Sequence, residues 1–363
     1  MKKRLTALLL FFALILTVIF SLSSCGEKYK PVESTAEEKR TAMKISYDGE
    51  KYEVPYELYR AFFLQLKSSV DNGNEEVWTG ADKEKYEKAV DELIWQRISE
   101  IYAVFHLCEK ADIDVYSKDF NENIKKIIEV SIEGGSFNGT DYKGFGGDYD
   151  KYLASLKKMN LNYSAQTLLI RYQLAYEALT AYYIGGFENN IIGAIEYTKE
   201  DVEAFYTNEE ESRRVILAQL DRDYFTEKRA NQIRETIASK TDAKDVANYV
   251  AGFTLSSPTS ESIGRFTYDG FYYSKLTDSV FSLAIGETGE VISLKTDVFD
   301  GYVIVYRLEA TDEFFESNYD EIALSYLYNE IGKTLSSVRE DISKAISPTD
   351  VIKNLDRSRV TME

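Results

Sequence analysis

Apolar side chains recur at helical spacing along most of the chain, broken by one region where strand-like and helix-like patterns alternate. Met43 to Val54 alternates around Asp48-Gly49, which predicts a hairpin. A helix is expected after Val54, with Pro55 at its first position and a stripe of Leu58, Phe62 and Leu66 flanked by Tyr59 and Phe63. The next spans roughly 82–109, where Val90, Leu93, Ile94, Ile98, Ile101, Tyr102 and Phe105 mark one face. A third covers 117–132 through Phe120, Ile124, Ile127 and Ile128. Gly134 to Asp148 reads as a loop, and helices near 149–159 and 163–183 follow, so 43–190 is nearly all helical.

Beyond this stretch the pattern changes. Thr198-Lys199-Glu200-Asp201 resembles a capping box opening a short helix to Tyr206. Val215 to Leu220 is a strand by composition, 226–240 and 243–250 are helical, and Ser256 to Ser262 is a turn-rich break. Ile263 to Thr267 is a short strand, Leu276 to Leu283 a short helix, and Val291 to Leu294 and Tyr302 to Leu308 the last strands. That order, β-α-α-β-α-β-β, is an α+β arrangement. After Thr311 the chain is helical again, with Ile322, Tyr326, Leu327, Ile331, Leu335, Val338 and Ile342 on one face. A face that long needs a partner, so the helix is expected to return to the N-terminal helices. The fold class is therefore mainly α with an inserted α+β domain: a helical domain at 43–197, the insertion at 198–311, the returning helix at 312–347 and a tail at 348–363.

The first residues add an address. Lys2, Lys3 and Arg4 precede an uncharged apolar run from Leu5 to Phe20, the layout of an export signal. Leu22-Ser23-Ser24-Cys25 resembles the lipobox of bacterial lipoprotein precursors, in which the cysteine is lipidated after cleavage. Residues 1–24 are then a signal peptide and Cys25 the anchor, with more than one acyl chain to hold it at the membrane. Residues 26–41 are polar, charged and without apolar periodicity, so 25–42 reads as a flexible lipidated tether. Cleavage removes three positive charges and no acids, taking the formal charge from −18 to −21. A chain this acidic repels nucleic acid and anionic headgroups, so no nucleic-acid partner is expected and the membrane contact rests on lipid.

Little else points to covalent chemistry. Of two cysteines, lipidation uses Cys25, which leaves Cys108 in the apolar run Ile101 to Cys108 as a small buried hydrophobe with no disulfide partner. His106 is the single histidine, and two potential ligands fall short of a zinc site, so neither metal nor cofactor is expected. One histidine on an apolar helix face gives a Ser-His-Asp triad no basis. Gly144-Phe145-Gly146-Gly147 lacks the following lysine and preceding strand of a phosphate loop.

The plan resembles the PrsA/SurA type of extracytoplasmic foldase, a helical SurA-N-like chaperone domain from both chain ends with a parvulin-like domain between. Tyr197 to Tyr206 resembles the helix leading into such parvulin domains. Ile263-Gly264-Arg265-Phe266 resembles the segment ahead of their second strand, and Phe281-Ser282-Leu283 followed by Gly289-Glu290-Val291-Ile292-Ser293 the short helix and turn into the third. Phe299-Asp300-Gly301-Tyr302-Val303-Ile304 resembles the entry to the last strand, with one residue inserted. The likeness covers about 198–310, and the helical parts only in general plan. Parvulins that isomerise X-Pro bonds carry a histidine on the first strand and another on the last. Those positions fall here at about Ala218 and at Val303, and the domain holds no histidine.

By this resemblance the protein binds unfolded or newly exported chains, with prolyl isomerase activity weak or lost. Asp221 and Asp223 are candidates for the polar residue parvulins place after the first strand, although Asp there is more often a turn residue. Phe266, Phe281 and Tyr302 are candidates for a proline pocket, or else ordinary core. An active isomerase with an atypical site and a non-catalytic envelope scaffold are the competing readings. Cys25→Ala is expected to move the protein from the membrane to the soluble extracytoplasmic fraction without lowering its melting temperature; retention on the membrane after signal cleavage would mean that lipid is not the anchor.

Overall fold

Asp48 and Gly49 both adopt positive φ, 49° and 84°, the geometry of a two-residue hairpin turn, and fold β1 (Thr41–Tyr47) antiparallel onto β2 (Glu50–Pro55). The computed structural model describes residues 28–186, 191–253, 261–264, 274–295 and 299–362. Two compact units emerge: the chain to Ala194 together with Leu335 onward, and Ile195–Thr334. The export signal, Cys25 and Phe266 lie outside the described residues. Among the described residues, no helix is long and apolar enough to cross a membrane.

In the first unit Pro55 is the N-cap of α1 (Tyr56–Asp71), so the helix starts one position later than expected. A short 3-10 turn after it buries Trp78, whose Nε1 donates to Asp71 Oδ2 at 2.7 Å. Next come α2 (Lys83–Lys110) and α3 (Lys118–Glu133), the latter capped by Ser117. The expected loop 134–148 holds a small hairpin, β3 (Gly135–Phe137) and β4 (Thr140–Tyr142), turning at Asn138 and Gly139 with φ of 48° and 77°. Asn-Gly between short strands is a hairpin signal that the surrounding glycines mask. α4 (Tyr149–Lys158) and α5 (Tyr163–Ile184) close the run. Cys108 is fully buried, its Sγ donating to the Ala175 carbonyl, and burial pushes its thiol up to about 12. His106 is buried too, with Nδ1 2.9 Å from the Tyr52 hydroxyl, and burial holds its pKa below the usual value.

The second unit opens with α6 (Lys199–Thr207), where Thr198 and Asp201 form the capping box. β5 (Arg213–Asp221), α7 (Glu227–Ala238), α8 (Ala243–Ala251), β6 (Glu261–Gly264), α9 (Ser274–Ser282), β7 (Ile292–Lys295) and β8 (Asp300–Leu308) follow. Their strands form a four-stranded antiparallel sheet in the order β6-β5-β8-β7. α10 (Asp312–Ser317) leads into the long α11 (Tyr319–Ala345). The helix expected to return whole to the N-terminal helices is divided instead. Ile322 and Ala323 bury against Val202, Phe205 and Tyr206 of α6, so 312–334 stays with the second unit.

The segments read as a tether and as a tail are both built in. Beyond α11, β9 (Ile346–Pro348) pairs antiparallel with β1, giving a three-stranded sheet of order β9-β1-β2. The short α12 (Asp350–Lys353) follows, and then buried Arg357 meets Asp91 at 2.6 Å and Glu87 at 3.5 Å. Residues 348–362 are therefore part of the first unit and not a free tail. The stretch 28–42, expected as a flexible tether, lies along the same unit. Tyr149 Oη donates to the Lys30 carbonyl at 2.7 Å, Ser34 donates to Glu57, and the Tyr56 amide donates to the Arg40 carbonyl at 2.8 Å. Glu38 accepts from Arg60 at 2.5 Å and from Asn162 Nδ2 at 3.1 Å, while buried Glu57 accepts from Asn162 at 2.8 Å and Ser164 at 2.6 Å. Polar anchoring of this kind leaves no apolar periodicity to read, and most of its partners lie far away in sequence.

Burial pushes Glu38 up, but hydrogen bonds from the Thr35 amide, Asn162 and Arg60 outweigh it and hold the carboxyl below its usual 4.5. A depressed folded pKa gives stability that is present above the unfolded value and lost as pH falls through the folded one. Glu38→Gln is expected to lower the melting temperature at pH 7, with the gap to wild type closing as the pH falls well below 4.5. An equal gap at both ends of that range would remove Glu38 as the charged anchor of the strap.

Candidate functional site

Side chains of a strand alternate between faces, and directly opposed residues of an antiparallel pair share one. Ile216, Ala218 and Leu220 of β5 join Tyr302, Ile304 and Tyr306 of β8 under α7 and α8, packing on Ala230, Ile233, Ile237, Val246 and Val250. Val215 and Leu217 join Val303 and Val305 on the other face, beneath Leu276, Val280 and Leu283 at α9. One face is thus covered by two helices, the other by one short helix.

This parity corrects the placement at Ala218. Ala218 is fully buried on the two-helix face, whereas Val303 belongs to the α9 face, so the two share no surface. The register pairs Val303 with Gln219, and Gln219 is exposed. A shift of one residue moves a side chain through the sheet, which is why a string match good to about one residue picked the wrong face. Gln219, missed by the sequence reading, is the residue of β5 that stands beside Val303.

The proposed proline pocket is divided in the same way. Phe281 packs against the α9 face, with the Arg213 guanidinium 5.0 Å from its ring centre. Tyr302 lies on the opposite face, buried in the two-helix core. Its hydroxyl accepts from Arg222 Nη1 at 2.9 Å, and the guanidinium sits 4.6 Å from its ring centre. Arg222 also donates to Ser293 Oγ at 2.7 Å and Asp300 Oδ1 at 2.6 Å, fastening the turn after β5 to β7 and β8. That hydrogen bond, and a weaker one from Lys295, keep the Asp300 carboxyl below its usual range. Tyr302 is therefore core and edge clasp, not the partner of Phe281 in a pocket.

The two aspartates sit together in that turn. Asp221 is exposed and uses Oδ1 to accept from the Asp223 amide at 2.8 Å, while its carbonyl accepts from Tyr224 and Phe225. This is an Asx-type turn, a structural use of the carboxylate. Asp223 is exposed in the same turn. Nearby, a Cβ on Gly301 would fall 2.3 Å from the Leu220 carbonyl oxygen and 2.6 Å from the Phe299 ring, so glycine is required for β8 to lie against β5.

What remains on the α9 face is a strip of partly buried Leu217, Leu294, Phe299 and Phe281 over buried Val303, with Gln219 and Asp221 as its exposed polar groups. Rotation of a prolyl bond needs no proton moved to the substrate. Its barrier of about 18–20 kcal/mol falls when the amide is stripped of water and twisted. The strip offers apolar contact and one amide, but Gln219 stands in water, so the carbonyl of a bound segment would stay hydrated there. Among the described residues, no group of three or more His, Cys, Asp or Glu is arranged to hold a metal ion.

No family model matches the chain, and no curated protein matches it by sequence. Among solved structures it is similar to foldase protein PrsA from Streptococcus pneumoniae, at 13% identity over 74% of this chain and 90% of that one, with a TM-score of 0.32. PrsA from Bacillus subtilis is 15% identical over 85% and 93%, and the PrsA foldase of Lactococcus lactis 14% identical over 89% and 99%, both with a TM-score of 0.25. Superposition this loose places no side chain of this protein on a side chain of those.

Proposed function

We propose that the protein is a membrane-anchored extracytoplasmic chaperone of the foldase type, binding unfolded, newly exported chains, with prolyl isomerase activity weak or lost. The observation that carries this reading is the α9 face of the inserted sheet, where exposed Gln219 stands beside the partly buried Leu217, Phe281, Leu294 and Phe299. Such a face can hold an extended apolar segment without desolvating its peptide bond, which suits retention better than catalysis. Exposed aromatic surface extends the same chemistry, since Tyr116, Tyr182, Tyr224 and Phe145 are all exposed. Tyrosine combines apolar area with a hydroxyl and so accommodates varied partners at low entropic cost. The formal charge of −21 left after removal of residues 1–24 opposes self-association while clients are held. The lipobox-like Leu22-Ser23-Ser24-Cys25 supports anchoring by lipid, and the likeness of the 198–310 strings to parvulins supports the foldase class.

Two assays on one preparation test the reading. Light scattering of several unrelated denatured enzymes should be suppressed by stoichiometric amounts of the protein. Cis–trans exchange of an X-Pro peptide should proceed at its uncatalysed rate. Rapid isomerisation that Asp221→Ala abolishes would make the protein an enzyme with a rearranged site. Capture of one stoichiometric envelope partner without general suppression of aggregation would make it a scaffold.

A further inference from the structure

The first unit holds a cleft of about 410 Å³ where β2 meets the turn between α2 and α3. Tyr52, Phe105 and Tyr116 supply its aromatic walls, and Glu109, Asp112 and Asp114 its carboxylates; no lining residue is basic. Phe105 is buried and Tyr116 is 63% exposed, their ring centres 6.4 Å apart, so the aromatic surface runs from the core out to solvent. The volume falls in the range of small-ligand sites, about 300–1,000 Å³.

The carboxylates are only partly engaged. Glu109 Oε2 accepts from the Tyr52 hydroxyl at 2.9 Å, and Asp114 Oδ1 accepts from the Tyr116 amide at 2.9 Å. Asp112, in the left-handed region with φ of 56°, makes no side-chain hydrogen bond or ion pair among the described residues. Of the nearby cations, Lys110 pairs outside the cleft, whereas Arg171 sits on its outer rim, close enough to Asp114 for their charges to interact, so Asp112 is the carboxylate left unpaired among the described residues. Lys110 is 2.7 Å from Asp48, while Arg171 stacks 4.7 Å from the outer ring of Tyr116 and donates to the Val115 carbonyl and to Asn121. Asp112 also lies just past the C-terminus of the long α2, the negative end of its dipole.

Three acids, a helix C-terminus and an aromatic wall fit one kind of occupant. We propose that this cleft takes a lysine or arginine side chain presented by an unfolded polypeptide, its aliphatic stem along Tyr52 and Phe105 and its charged head among Asp112, Asp114 and Glu109. Long cationic side chains divide in this way between apolar surface and charge, and a cation beside an aromatic face gains further. The inference deepens the chaperone reading and rests on it: the cleft would bias the protein toward basic segments of its clients.

The test uses full-length protein and two labelled, unstructured peptides of Gly, Ser and Leu, one with a central arginine and one with citrulline, its neutral isostere. Fluorescence anisotropy should show the arginine peptide bound about fivefold more tightly. Asp112→Asn with Asp114→Asn should abolish that preference without lowering the melting temperature, because asparagine keeps both the left-handed backbone and the cap on the Tyr116 amide. Glu200→Gln with Glu235→Gln, which removes the same charge from the second unit, should leave the preference intact. Equal affinity for the two peptides, or equal loss in both double variants, overturns the cation site. Aggregation suppression measured in parallel separates the two claims: equal peptide affinity with suppression intact removes the cleft's role alone, and equal affinity without suppression removes the chaperone reading as well.

Discussion

The buried ion pair between Arg357 and Asp91 closes the first unit. Both side chains are nearly withdrawn from water, 7% and 13% exposed, and the Tyr59 hydroxyl donates to the second carboxylate oxygen at 2.8 Å. A charge so placed is tolerated only while its partner stays, since removing one member of a buried pair costs about 3–5 kcal/mol. The pair ties residues 266 positions apart. In the same unit β9 completes the sheet on β1, and the Thr349 amide and hydroxyl bond the Ala42 carbonyl at 2.9 and 3.0 Å. The helical unit is thereby made from both chain ends, and everything from Ile195 to Thr334 is an excursion between them.

That construction bears on function through what each unit must do for itself. The inserted unit carries its own core on both sheet faces, so its fold does not draw on the first unit for a hydrophobic partner. In the first unit the strap of residues 28–42 is held by Glu38, Glu57, Arg60 and Asn162.

Apolar periodicity made most elements legible in the sequence. The stripes of α1, α2 and α3, the Asp48-Gly49 turn and the Thr198–Asp201 box are each local signals, and local signals survive folding. Three features were not local. The strap and the C-terminal segment are polar in sequence and owe their order to partners such as Asp91, Asn162 and Glu133, which no window of neighbouring residues contains. The face of a strand residue depends on parity, so matching strings to within one position set Ala218 beside Val303 when the register sets Gln219 there. Tyr302, a candidate for the proline pocket or for ordinary core, falls by its parity in β8 on the two-helix face and is core under Arg222.

Native-state hydrogen exchange on Arg357→Ala tests the central claim, closure of the first unit by its two ends around an independently stable insertion, most directly. Amides of β1 such as Met43 and Ile45, and those of α1 and α2, should lose about 3–5 kcal/mol of protection, while β5 and β8 keep theirs. Equal loss in both units, or unchanged protection in β1, would contradict it.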